Sequence, residues 1–271
     1  MVIPLRDDNP TSRLPLVTVL LIAANLVVFA FLQPHDSPRE ETRFFVEHAA
    51  IPCELRQGTP ITAVEFNTGR CDADAAREVG SVQPYPDKNV FLAGLVSMFL
   101  HGSWFHVLGN MLFLWIFGNN VEDRFGPVGF AVFYVGAGAV ALLAHVLADA
   151  GSTVPVVGAS GAVAGVMGAY LVFWPHARVL TIVPLLLFVL VYLPASVVLL
   201  LWFGLQFLTS PNSGVAWVAH VGGFLLGAAV ALVLRPWFGP PPRPRAVPPP
   251  RGPWDRPGPW DRDDRWDPWS R

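Results

Sequence analysis

Six long apolar runs, at residues 14–32, 91–118, 127–147, 160–174, 179–208 and 215–234, constrain this 271-residue chain more than any other feature. A hydrocarbon layer about 30 Å thick is crossed by about 20 apolar residues in a helix, and a backbone inside it must satisfy its own hydrogen bonds. With 53% hydrophobic residues, the sequence reads as an all-α polytopic membrane protein with six transmembrane helices rather than a soluble core. The lipid bilayer is its first expected partner. A net charge of −2 gives no sign of nucleic-acid binding. The first run follows Arg6 and Arg13, yet it is longer than the apolar region of a signal peptide and ends without a small-residue cleavage site. It is expected to stay as an anchor helix.

In the short segments, arginines fall on alternate sides of successive runs: Arg6 and Arg13, then Arg124, then Arg178, then Arg235, Arg243 and Arg245. Basic residues in short loops mark the cytoplasmic side. The expected arrangement is a multi-pass cell-membrane protein with both termini cytoplasmic: a cytoplasmic segment 1–13, a core over 14–234, and a long extracytoplasmic loop at 33–90. That loop holds six prolines and reads as a small capping structure or a partly ordered loop. It also holds both cysteines, Cys53 and Cys71. On an oxidising side a disulfide between them contributes about 3 kcal/mol by loop closure; free thiols are the alternative. Two cysteines with no local histidine pair are too few for a metal site. Residues 235–271 form a Pro-, Trp- and Arg-rich tail with Trp254-Asp255, Trp260-Asp261 and Trp266-Asp267 repeating every six residues, expected to be disordered.

Inside the runs, one serine stands out. Ser160 lies in Gly158-Ala159-Ser160-Gly161, among residues too small to shield a hydroxyl. A helix beginning there aims its unpaired amides and positive dipole end at whatever the hydroxyl attacks. Small-residue runs also serve plain helix packing, and Gly161 and Gly165 fit that use. Depth helps to choose. The fourth run covers about 22 Å of the roughly 30 Å layer, which puts Ser160 about 8 Å below the outer boundary. His220 lies about 7.5 Å down from the same side, and His106 comes within a turn or two of that level. His106 and Asn110 are four residues apart and share a helical face, whereas His101 is expected to point elsewhere. The last three runs hold no Asp or Glu, leaving a Ser160–His220 dyad without an acidic third member. The same lack of acidic groups, with no inverted repeat, argues against a transporter.

Four motifs occur in order: His101-x4-His106-x3-Asn110, Glu122-x3-Gly126, Gly158-x-Ser160-Gly161 and Ala219-His220-x2-Gly223-x3-Gly227. With them the chain resembles the rhomboid family of intramembrane serine proteases. The resemblance implies a six-helix rhomboid-like bundle with Ser160 as nucleophile, His220 as general base, and His106, Asn110 and the Ser160 amide as oxyanion donors. It implies structural roles for Glu122 and Gly126 in the turn after the second span, and transmembrane protein substrates cut at small residues. No cofactor is expected. A catalytically inactive rhomboid-like factor that binds membrane proteins is the alternative reading, although such relatives usually lack the serine or the histidine. Two positions depart from the family pattern. Leu92-Ala93 stands where many members carry Trp-Arg, and Ala164 stands where many carry an aromatic that stacks on the histidine, so another group must hold the His220 ring. Trp202, beside the small Gly109 of the second span, is a candidate gate for substrate.

Overall fold

The computed structural model describes residues 3–183, 189–208 and 216–238. Pro184, Arg243, Arg245 and the tail repeats at Trp254, Trp260 and Trp266 lie outside the described residues. In chain order the elements are β1 (Ile3–Asp7), α1 (Leu16–Val27, ending in a π turn at Val28–Leu32), α2 (Pro38–His48), α3 (Pro52–Gln57), α4 (Ala63–Thr68), α5 (Ala73–Glu78), α6 (Val90–Val96), α7 (Trp104–Ala148), α8 (Ser160–Phe173), β2 (Arg178–Val183), β3 (Val189–Pro194), α9 (Ala195–Gln206) and α10 (Trp217–Phe238). The chain is mostly helical. By length and composition α7 and α10 are able to cross a bilayer, while Leu16–Leu32, Ser160–Phe173 and Ala195–Gln206 are apolar but shorter.

The 45-residue α7 is two helices. Gly126 leaves the helical region at φ 73° and ψ 163°, immediately before Pro127, and the segments 104–125 and 127–148 are each about 33 Å long at 1.5 Å per residue. The turn expected after the second span thus narrows to one glycine. Glu122 remains inside the first segment, where it is buried. Its carboxylate accepts from the Val17 amide at 2.9 Å and from the Thr18 amide and hydroxyl at 2.7 and 2.8 Å. Those amides open α1, which starts after Pro15 with no side-chain cap of its own. A buried acid at the positive end of a helix satisfies free donors that the helix cannot, and here it also fastens α1 to α7.

Two expectations about the spans are corrected. The second run is not one helix: α6 passes into a single 3-10 turn at Ser97–Phe99, Leu100 is extended, and α7 starts only at Trp104. The fifth run, where Pro184 and Pro194 lead one to expect a bend or a late helix start, does start its helix late, after Pro194, but its first part is a β-hairpin in a three-stranded antiparallel sheet of order β1-β2-β3, so the fold is not all-α. An unbroken apolar run looks alike as a buried strand or a buried helix. Val179, Thr181, Ile182, Val183, Val189 and Val191 are β-branched and favour the pleated form. At the other end of the chain, α10 continues to Phe238, four residues into the expected tail.

The strand β1 ends at Asp7, whose carboxylate accepts from Tyr170 Oη at 2.6 Å and from Asn120 Nδ2 at 2.9 Å. Burial outweighs these bonds and pushes the Asp7 carboxyl up to about 6. A folded-state value above the unfolded one means the stabilisation is complete below the unfolded pKa of 3.8 and is lost as pH rises through about 6. Asp7→Asn is expected to remove that loss. The wild-type melting temperature in detergent should therefore fall relative to that of the variant between about pH 4 and pH 7. Parallel profiles for the two proteins would reject the assignment.

Residues 33–90 fold into a capping structure. The helices α2–α5 enclose a small core of Val46, Ile51, Cys53 and Ile61, and Cys53 and Cys71 are joined by a disulfide. Val46 and Ile61 are therefore inside it. Lys88 Nζ is buried 2.6 Å from Glu54 Oε2 and donates to the Val46 and Ala49 carbonyls at 2.7 Å each. Desolvation lowers the Lys88 pKa and raises that of Glu54, and the additional hydrogen bonds are what a buried pair needs. This structure is stitched to the segment leading into α8. The Cys53 amide donates to the Ser152 carbonyl at 2.9 Å, and the Val156 amide donates to the Ala50 carbonyl at 2.8 Å.

Candidate active site

Ser160 opens α8. Ala159 is the N-cap and offers no side-chain bond, so the amides of the first turn are left uncapped beside the hydroxyl. His220 lies in the first turn of α10, and its Nε2 is 2.8 Å from Ser160 Oγ. What brings the two together is contact between backbones. A Cβ on Gly223 would strike the Gly161 carbonyl oxygen, one on Gly227 the Gly165 carbonyl oxygen, and one on Gly168 the Phe224 carbonyl oxygen. Glycines four apart on both helices give each a flat face, and α8 and α10 meet along it.

Gly158 takes φ 124°, a value that disfavours side chains, and its surroundings forbid one as well. The position its Cβ would occupy is 2.8 Å from His106 Nε2 and 3.5 Å from Ser160 Oγ. The missing side chain therefore leaves an atom-sized gap between a ring nitrogen and the hydroxyl. His106 is held in the first turn of α7, where its amide donates to Ser103 Oγ at 3.1 Å.

His101 joins this group instead of pointing away. Helical geometry does not apply to it, because residues 100–103 lie between α6 and α7. Its ring meets that of His106 edge to face at 5.0 Å. Asn110 Nδ2 donates to His101 Nε2 at 2.9 Å, and the Ala159 amide approaches the same nitrogen at 3.4 Å. Two donors on Nε2 assign the His101 proton to Nδ1, and they leave Asn110 a second amide hydrogen. Gln33 pins the His101 backbone from both sides, donating to its carbonyl at 2.8 Å and accepting from its amide at 2.9 Å.

The group that holds the His220 ring comes from α9. Gln206 Oε1 lies 2.8 Å from His220 Nδ1, and the Trp202 ring lies 5.7 Å from the imidazole, centroid to centroid. Ala164 is fully buried on the other helix and supplies no ring. Trp202 also approaches Phe113 of α7 at 6.5 Å, while a Cβ on Gly109 would meet nothing within 4 Å. Glu122 and Gly126 take no part in the hydrogen bonds around Ser160; they shape the α1–α7 junction. Gln33 and Gln206 were not singled out from the sequence. Their signal was a neutral amide at the end of an apolar run, and a buried amide needs a partner as much as a charge does. A cavity of about 30 Å³ beside Ser160 is lined by small residues such as Gly94, Gly138, Ala141 and Gly161 together with the larger Met98, Leu142, Val156 and Val157.

A serine and a histidine are thus in hydrogen-bond contact among apolar helices, with further polar groups gathered near the same hydroxyl. The family model of the rhomboid domain matches residues 90–237, more than half of the chain, and the chain belongs to the rhomboid family. It is similar to RHOMBOID-like protein 5 of Arabidopsis thaliana, 34% identical over 148 residues, which are 52% of this chain and 44% of that protein. RHOMBOID-like protein 4 of Arabidopsis thaliana is 36% identical over 150 residues, 52% of this chain and 34% of that protein. Rhomboid protein 1, mitochondrial, of Saccharomyces cerevisiae is 34% identical over 91 residues, 32% of this chain and 26% of that protein. The chain spans less than half the length of each of these relatives.

Proposed function

We propose that this chain is an intramembrane serine endopeptidase that hydrolyses peptide bonds in or near transmembrane segments of other membrane proteins through a Ser160–His220 dyad. The observation that carries the reading is the 2.8 Å contact between Ser160 Oγ and His220 Nε2 at the uncapped start of α8. His220 Nε2 takes the hydroxyl proton as Oγ bonds to the scissile carbonyl carbon. The carbonyl oxygen gains the electron pair and is met by His106, the free amide hydrogen of Asn110 and the Ser160 amide. The proton then passes to the leaving amine, and water cleaves the acyl-enzyme by the same route. The cavity beside Ser160, only about 30 Å³, supports a small side chain at the cut. The test is cleavage of a membrane-inserted single-span substrate by the protein in lipid vesicles. Cleavage by wild type and none by Ser160→Ala is expected; binding without cleavage by wild type would favour the inactive-factor reading.

For the arrangement in the bilayer, α1, the two segments of α7, α8, α9 and α10 are the six proposed spans, with both termini cytoplasmic and residues 33–90 outside. Reporter fusions after Trp174 and at the C-terminus are expected to read cytoplasmic, and one within residues 33–90 external. An external C-terminus would rule out an even number of spans with an internal N-terminus.

Trp202 bridges α9 to α7 at Phe113, one turn from the open face of Gly109, which supports a substrate gate between the two helices. Trp202→Ala is expected to raise turnover of a transmembrane substrate. A lower rate in stably folded protein would assign the ring to support of His220 instead.

A further inference from the structure

We infer that Gln206 is a positioning residue for the reaction, a neutral third member that fixes the His220 tautomer and thereby the direction in which the Ser160 proton moves. The inference rests on the serine-protease reading and extends it to a residue on α9. Gln206 is buried, 7% exposed, so its amide must find partners inside the protein. Both ends of the amide have one. Its Nε2 donates to the Trp202 carbonyl at 3.1 Å, one turn back on the same helix, and its Oε1 faces His220 Nδ1 at 2.8 Å.

That pair of contacts settles which way the amide points. A flipped Gln206 would set its oxygen against the Trp202 carbonyl oxygen, acceptor against acceptor, and turn its NH₂ toward Nδ1. Nδ1 would then be the accepting nitrogen and Nε2 the protonated one. His220 would donate to Ser160 Oγ, which is the wrong direction for a base. With the amide as it stands, the hydrogen bonds run in one sense: Ser160 Oγ–H to His220 Nε2, His220 Nδ1–H to Gln206 Oε1, and Gln206 Nε2–H to the Trp202 carbonyl. The last acceptor is backbone and has no choice of role, so it orients the whole chain of donors. When His220 takes the serine proton, the Nδ1–H bond to Oε1 becomes charge-assisted and strengthens. A carboxylate would stabilise the imidazolium more; a carboxamide holds tautomer and ring angle without placing a charge among apolar helices.

Three variants of the full chain test this. Gln206→Leu keeps the volume and removes the acceptor, and it is expected to lower kcat about 10- to 100-fold with little change in KM, the loss of one orienting hydrogen bond in the reacting state. Gln206→Asn, one methylene too short, should resemble it. Gln206→Glu restores an oxygen opposite Nδ1 and is expected to recover most of the lost kcat. A readout apart from turnover is nitrogen NMR of histidine-labelled protein, with the His220 signals identified by their absence in His220→Ala. The wild type should show His220 as the neutral tautomer protonated at Nδ1, and Gln206→Leu a mixture. A Gln206→Leu protein with wild-type kcat, or with the tautomer unchanged, would overturn the proposal. The tautomer measurement separates the two ideas: if Ser160→Ala still cleaves, the protease reading fails whatever the NMR shows, whereas a lost tautomer preference in Gln206→Leu stands on its own.

Discussion

Replacing Ser160 or His220 with alanine is expected to lower cleavage of a transmembrane substrate by on the order of 10⁴-fold or more, and combining the two should be hardly worse than either alone. In the proposed reaction the Ser160 Oγ proton goes to His220 Nε2, 2.8 Å away, so either change would remove the same step. Losses that add in the double variant would mean that the two act separately. The proposed oxyanion donors are expected to behave differently, because they are a set. Asn110→Ala or His106→Ala removes one member, and a partial loss on the order of 10²–10³-fold or less is expected. Folding has to be followed alongside, since these side chains also tie elements together. A side-chain hydrogen bond within a membrane averages about 0.6 kcal/mol, too little to account for rate losses of this size.

The second large effect is expected far from any proton. Gly223→Ala adds a single carbon where the Gly161 carbonyl oxygen already sits, and neither backbone can yield without moving its helix. Overpacking of this kind costs about 1–3 kcal/mol, and a displacement of about 1 Å between reacting groups costs on the order of 10²-fold in rate. Because His220 stands one turn before Gly223 on α10, and Ser160 beside Gly161 on α8, the two effects arrive together. Gly227→Ala, against the Gly165 carbonyl, should act in the same direction one turn further along. Gly136 is the control, since a Cβ there would meet nothing within 4 Å, and Gly136→Ala should leave turnover unchanged. Wild-type stability and turnover in Gly223→Ala would contradict the close approach of α8 and α10.

The pairing of Ser160 with His220 was legible in the sequence because charged run ends fix helix depth, and depth in a bilayer is a strong coordinate. The start of α8 was legible for a similar reason: Gly158 and the polar segment before it leave few places for a helix to begin. The β2–β3 hairpin was not, since an apolar run of β-branched residues satisfies a strand and a helix alike until the partner strand β1 is known. The place of His101 is not legible either: helical spacing sends it away from Asn110, whereas the extended backbone at Leu100 turns its ring back toward that residue. Gln33 and Gln206 are not legible in the sequence, because a neutral amide beside an apolar run carries no charge to mark it. In a low-dielectric interior, an amide that can both donate and accept is an equally strong organiser.

The central claim is that Ser160 is the nucleophile, and the most direct measurement is covalent labelling of the detergent-solubilised full chain with a fluorophosphonate, followed by peptide mapping of the modified residue. A phosphonyl group on Ser160 is predicted, lost in Ser160→Ala and strongly slowed in His220→Ala, because only an activated hydroxyl displaces the fluoride. Labelling at another residue, or unlabelled Ser160 in protein that cleaves its substrate, would contradict the account.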